Sequence, residues 1–320
     1  MQRNKYIYSF GYDETERELC KLESKCIFKK EEKNKTLFSE LEIKPSDSAF
    51  IKKRLDIILS SDDYTSLLNG IERAGISVEG FKVEYLVLDG DTTEYAERLE
   101  KLRDIGYRIA GNPDYYSPSK TYALCFYEGV WYFGILVKND FAWKRHKQKP
   151  CSNSNSIKIN IAKALVNIAA QAVKDFKLID ACCGVGTVML EACFAGYDIE
   201  GCDINWKQCR DARDNLSHFN YTAKVYRSDI KYIIQKYDAA IVDLPYNLLT
   251  RATDNDMLHI IESTAKITDR LVIVSTLDIS NFIIKSGLSI RDHCKVSKSG
   301  RKSFTRNIWV CEKDGEVLSR

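Results

Sequence analysis

The chain has 320 residues, 44% of them apolar, enough for about two domains with buried cores. A net charge of +3 is too small for composition alone to argue nucleic-acid binding, and no apolar run approaches the ~18 residues of a membrane span. The 11 cysteines are odd in number and lack Cys-x-x-Cys pairs, which argues against a disulfide framework or a zinc site, and charges at Arg3, Lys5, Asp13 and Glu14 leave no signal-peptide core, so a cytoplasmic protein with reduced thiols is expected.

Residues 5–10 alternate apolar and polar like a short strand, and 13–24 have the acidic start and apolar spacing of a helix. The charged 29–35 segment reads as a loop. Residues 50–60 interleave apolar and basic side chains and fit either a helix or a strand. Leu67, Leu68, Ile71 and Ala74 make a helical stripe closed by Gly75, followed by a buried strand over 81–88 and a second helix over 92–105. Residues 121–127, the Glu128-Gly129 turn and 130–137 form a hairpin. This α+β pattern carries no evident catalytic constellation.

Between 139 and 156 the periodicity dissolves into Trp143-Lys144-Arg145-His146-Lys147-Gln148-Lys149-Pro150 and a Ser/Asn run, which marks a domain boundary. The basic cluster beside Trp143 could grip phosphates while the aromatic stacks, or be a solvated linker. Ile157, Ile161, Leu165, Ile168 and Ala172 then share a helical face, with Ser156 or Ser154 as a cap. Strands ending at Asp180, Asp203, Asp229 and Asp243 alternate with helices such as 206–219, the mark of a doubly wound α/β domain. A helix over 254–267, a strand over 270–276, a helix over 279–286 and strands over 290–296 and 305–311 complete the chain. The last two strands are expected as an antiparallel hairpin at the sheet edge.

Two strand ends concentrate the chemistry. In Cys183-Gly184-Val185-Gly186-Thr187 the glycines let the backbone turn sharply and approach a ligand. A nicotinamide fingerprint wants a third glycine where Met189 stands, and Asp180 ahead of the loop would oppose a pyrophosphate. An acid there suits a cation such as the ammonium of S-adenosylmethionine. Asp203 follows at the distance from which an acid reaches ribose hydroxyls, and Asp229 can accept from an adenine amino group. Any one of these acids could merely cap a helix; three at successive strand ends argue for a shared ligand.

Asp243-Leu244-Pro245-Tyr246 is the most specific signal. An amine on an aromatic ring is a poor nucleophile because its lone pair is delocalised. The Asp243 carboxylate and the Leu244 carbonyl can hold its two N–H bonds, Pro245 fixes the turn, and Tyr246 offers a stacking face worth ~1 to 3 kcal/mol. Asp243 also stabilises the positive charge that develops on nitrogen.

At these residues the chain resembles the THUMP-domain RNA methyltransferases, most closely the tRNA guanine-N2 methyltransferases acting on guanosine 10. Residues 180–187 are similar to that family's Asp-Pro-Phe-Cys-Gly-Thr-Gly loop, and Asp243 to Tyr246 to its Asp-Pro-Pro-Tyr motif. Leu244 replaces the first proline and Ala181-Cys182 replace Pro-Phe. The resemblance implies an α/β class I methyltransferase domain with a Rossmann-like sheet and terminal hairpin over 157–320, after a basic linker over 141–156. It implies S-adenosyl-L-methionine held by Asp180, Cys183, Gly184 and Gly186, with Asp203 on its ribose and Asp229 on its adenine, and catalysis by Asp243, Leu244, Pro245 and Tyr246. The partner implied is tRNA, methylated at the exocyclic N2 of a guanosine, with no metal and no membrane. The alternatives are adenine-N6 transfer in DNA or rRNA, or a lapsed enzyme acting as an RNA-binding assembly factor. More faintly, residues 1–60 are similar to a ferredoxin-like segment and 61–140 to a THUMP module, which makes Trp143, Lys144, Arg145 and Lys147 candidates for guiding RNA.

Overall fold

A computed structural model describes residues 5–152, 156–245, 253–297 and 305–313. The first half runs β1 (Tyr6–Phe10), α1 (Arg17–Phe28), β2 (Thr36–Ser39), β3 (Ile51–Ser61), α2 (Tyr64–Arg73), β4 (Phe81–Tyr85), α3 (Tyr95–Gly106), β5 (Lys120–Tyr127) and β6 (Val130–Lys138). Six of these elements form one sheet in the order β2-β1-β3-β6-β5-β4, antiparallel except for the parallel pair β4 and β5. Along β5 the side chains alternate between two cores: Tyr122 and Leu124 join Leu67, Ile71 and Ile105 from the helices, while Ala123 and Cys125 join Ile7 and Leu55.

The segment over 50–60 that fitted either helix or strand is β3, because β1 and β6 satisfy its backbone groups from both sides. Where its register slips between Ile57 and Leu59, Gly134 lies opposite, and a Cβ on Gly134 would sit 2.0 Å from the Asp56 carbonyl oxygen. The division expected between 1–60 and 61–140 is therefore not the one the backbone makes. β3 runs through that boundary, and the sheet belongs to one unit comprising the chain through Gly11, Glu32–Ser46 and Phe50–Asp140. Residues Tyr12–Glu31 and Asp47–Ala49 belong to the second unit with everything from Phe141 onward.

That second unit continues with α4 (Ile159–Ala170), β7 (Lys177–Asp180), α5 (Thr187–Phe194), β8 (Asp198–Asp203), α6 (Trp206–His218), β9 (Lys224–Arg227), β10 (Ala239–Asp243), α7 (Asp254–Ile267), β11 (Arg270–Ser275), α8 (Ser280–Lys285), β12 (Leu288–Ser297) and β13 (Thr305–Lys313). α4 is apolar nearly all round, so it must be covered on every side. α1 covers it, and buried Glu23 accepts hydrogen bonds from Asn167 Nδ2 and Ser48 Oγ at 2.7 Å each. Lys158, not Ser156, holds the N-cap position and makes no side-chain bond there, and the helix ends before Ala172 because Gln171 and Ala172 take positive φ. Ser154 lies outside the described residues.

The seven strands lie in the order β12-β13-β11-β10-β7-β8-β9, parallel from β7 to β11, with β13 antiparallel between β11 and β12. This is the Rossmann-like sheet with a terminal antiparallel hairpin that the sequence leads one to expect. The chain winds outward from β7 through β8 to β9, then returns to the other side of β7 as β10. The order therefore reverses between β7 and β10, which opens a crevice at their carboxyl ends. Among the described residues no helix is long and apolar enough to cross a membrane.

Candidate active site

β7 delivers Asp180 to that crevice and the glycine loop follows. Gly184 and Gly186 have φ of +51° and +77°, a backbone region where a side chain is strained. Gly186 is the N-cap of α5, and a Cβ there would come within 3.2 Å of Ala212 on α6. Backbone bonds fix the loop: Cys183 N donates to Cys202 O at 3.0 Å and Gly186 N to Cys183 O at 2.8 Å. Met189, at the position of a third glycine, fits because its neighbour is Gly201, whose added Cβ would meet the Met189 sulfur at 2.4 Å.

Asp203 anchors the same loop. Its Oδ2 accepts from Gly184 N at 3.0 Å and its Oδ1 from Asn205 N at 2.8 Å. Burial raises its pKa. Asp229 lies two residues beyond the end of β9, where it caps a short 3-10 turn by accepting from Lys231 N at 3.0 Å. His259 Nε2 on α7 lies 3.8 Å from Asp229 Oδ1.

On β10, Asp243 and Leu244 are held by β11 through Leu244 N, which donates to Val274 O at 3.0 Å. Asp243 as a residue is partly exposed, yet its Oδ1 is shut off from solvent and has no hydrogen-bond partner among the described residues. Burial pushes its carboxyl up to about 7, against the weaker opposing effect of Arg306. Asp180, only 2% exposed, is raised well above the ordinary carboxylate range, first by burial and then by the Asp243 charge. Tyr246 lies outside the described residues.

A cavity of about 580 Å³ collects Asp180, Cys183, Gly184, Asp203, Asp229, Asp243, Leu244 and Pro245 on its walls. Gly186 sits at the turn beneath it, one residue before Thr187, which does line it. Thr187 Oγ1 is buried without a hydrogen-bond partner among the described residues. Ser156, Ile204, Ser228, Ile230 and His259 also line the cavity, and sequence reading did not single them out as site residues. Ile204 and Ile230 follow directly on the expected acids, so apolar neighbours of strand-end acids were the available signal.

The linker differs from its expected role at one residue. Trp143 is 3% exposed, with the Lys163 ammonium 5.5 Å from its ring, so its indole is no stacking face for RNA. Lys144 and Lys147 are exposed, and Arg145 donates to Tyr221 Oη at 2.9 Å. His146 is fully buried, with Nδ1 2.7 Å from Glu191 Oε1 and Nε2 3.0 Å from Tyr221 Oη. Lys163 Nζ lies 3.6 Å from the other Glu191 oxygen, and burial lowers its pKa. Behind the loop stands Asn215 of α6, fully buried: its Nδ2 donates to Val185 O and Cys151 O, and its Oδ1 accepts from Cys151 N, all at 2.8 Å.

Residues 145–263 match the RMKL-like methyltransferase domain. This methyltransferase domain match contains the glycine loop, Asp203, Asp229 and Asp243. Two relatives are similar over nearly the same length: the tRNA (guanine(10)-N2)-dimethyltransferase of Methanothermobacter thermautotrophicus, 30% identical over 117 residues, and that of Methanocaldococcus jannaschii, 33% identical over 118. The alignments cover 36% and 33% of this chain and 34% and 33% of those proteins, so the chain matches about a third of either relative's length. Among solved structures, TrmN from Thermus thermophilus is 13% identical with a TM-score of 0.47, over 96% of this chain and 99% of that one.

Proposed function

We propose that this protein transfers a methyl group from S-adenosyl-L-methionine to the exocyclic N2 amine of a guanosine in tRNA. One observation carries the reading: one cavity at the sheet's switch point is lined both by Asp180, Asp203 and Asp229 and by Asp243-Leu244-Pro245. The relatives' names supply the acceptor.

The donor set fits the cofactor. Buried Asp180 suits a cationic ammonium or sulfonium, Asp203 and Asp229 are hydrogen-bond acceptors for ribose hydroxyls and an adenine amine, and the Thr187 hydroxyl has an unmet bond at the start of α5. When bound, S-adenosylmethionine supplies an electrophilic methyl on a positively charged sulfur. The Asp243 carboxylate and Leu244 carbonyl orient the amine by accepting its N–H bonds, and Pro245 fixes the turn that follows them. We assign capture of the RNA backbone to Lys144, Arg145 and Lys147 and to the six-stranded unit, and stacking of the base to Tyr246.

Mass spectrometry of tRNA nucleosides from a deletion strain tests the proposal. The expected result is loss of one N2-methylated guanosine. An unchanged guanosine profile, or loss of N6-methyladenosine instead, overturns it.

A further inference from the structure

We infer that Asp180 and Asp243 act as one acid–base pair, sharing a proton in the free protein and giving it up when a cation enters the cavity. The pair thereby distinguishes the cationic methyl donor from its neutral thioether product. This rests on the function proposed above and adds a residue to its chemistry, since Asp180 becomes the partner of Asp243 in proton handling as well as a contact for the cofactor.

The sheet register brings the two together. Asp180 on β7 pairs with Ile241 on the parallel strand β10, and Asp243 lies two residues further along. Side chains alternate along a strand, so Asp180, Ile241 and Asp243 share one face, and both acids open on the same cavity. Asp180 is 2% exposed, and Asp243 Oδ1 has neither solvent nor a hydrogen-bond donor among the described residues.

Among the described residues, negative charge is favoured there by the Cys182 backbone N–H on Asp180 and by Arg306 acting on Asp243, and both effects are outweighed by burial. Around Asp180 stand Asp243, Asp203, and the Cys182 and Cys183 thiols, which burial keeps protonated; Arg306 of β13 is the cation acting on Asp243. Cys202 of β8, also raised by burial, completes the ring. Two adjacent buried carboxylates titrate as a unit, and the second ionises only against the field of the first. A positive sulfur beside them supplies the missing countercharge, so the proton leaves.

The transfer step then balances within the site. The amine nitrogen's lone pair forms the new N–C bond while the C–S bond breaks, its electron pair staying on sulfur. The nitrogen returns to neutrality by passing its N–H proton to Asp243. A dianion facing a sulfonium thus becomes a singly protonated pair facing a neutral thioether, and the proton is lost to solvent when the next sulfonium binds.

Titration calorimetry of the full chain at pH 7, in buffers of differing ionisation enthalpy, counts the protons. S-adenosylmethionine should release roughly half to one proton more than S-adenosylhomocysteine. Infrared difference spectra give a second readout on the same protein: a protonated-carboxyl band present in the free state should vanish with the sulfonium ligand, persist with the thioether, and be missing in both Asp180→Asn and Asp243→Asn. Equal proton counts, or a band that survives in both variants, overturn the pair. Failure of both ligands to bind overturns instead the reading of the cavity on which the pair depends.

Discussion

Replacing Asn215 with alanine removes three hydrogen bonds that tie α6 to the glycine loop and to the end of the linker. Val185 O is the costly loss: it is buried, and an unsatisfied buried carbonyl costs about 1 to 3 kcal/mol. The two groups of Cys151 are part-buried and can recruit water, so each loss is worth about 0.5 to 1 kcal/mol. Alanine's better helix propensity returns roughly 0.5 kcal/mol. The net expectation is a loss of about 1.5 to 4.5 kcal/mol. Asn215→Asp should cost more, because it keeps the acceptor toward Cys151 N but turns carboxylate oxygens toward two carbonyls. Urea unfolding followed by tryptophan emission reads this well, since Trp143, Trp206 and Trp309 all belong to the second unit. A change under 0.5 kcal/mol for alanine, or an aspartate variant as stable as the parent, would refute the assignment of Asn215 as the loop's anchor.

Asp243→Asn should abolish methyl transfer in a labelled-cofactor assay yet stabilise the fold at neutral and higher pH. The folded carboxyl, at about 7, lies above its unfolded value of 3.8, so the parent loses stability as pH rises through that window while the amide does not. Thermal unfolding at pH 5 and pH 8 should show the variant's advantage growing toward about 2 to 4 kcal/mol. Gly201→Ala should destabilise by roughly 1 to 3 kcal/mol through overlap with Met189, and Met189→Ala in the same chain should recover part of that loss, as a double-mutant cycle would measure. Trp143→Ala should cost about 3 to 5 kcal/mol of stability as a buried-core truncation. Lys144→Ala with Lys147→Ala should leave melting unchanged and flatten the salt dependence of tRNA binding by about one unit of slope per lost phosphate contact.

The second half of the fold was legible because β7, β8 and β10 end in an acid, Asp229 follows just beyond β9, and helical stripes alternate with the strands, a pattern that fixes direction and order of winding. β3 was not, since its alternating apolar and basic residues satisfy two periods and only pairing with β6, some eighty residues on, decides between them. The same distance hid the true division of the first half. Asp180, Asp203, Asp229 and Asp243 could be read as strand-end acids, but not the burial that couples Asp180 to Asp243, which depends on neighbours from four strands. Trp143 looked like a surface aromatic because its company is charged in sequence; Lys163, whose ammonium faces its ring in space, comes from another element further along the chain. Asn215 gave one overlooked signal, an amide three residues after Ala212 on the apolar stripe of α6.

The assignment of α1 to the second unit bears on synthesis and on truncation. The ribosome delivers this helix well before α4: Asn167, whose amide donates to Glu23, emerges 144 positions later, after the whole six-stranded sheet. The nascent helix therefore waits with its apolar side uncovered, an interval in which a chaperone has something to hold. Cutting the chain at residue 140 to isolate the carboxyl-terminal half strips that cover from α4, so the fragment should aggregate even though every strand of its sheet is retained.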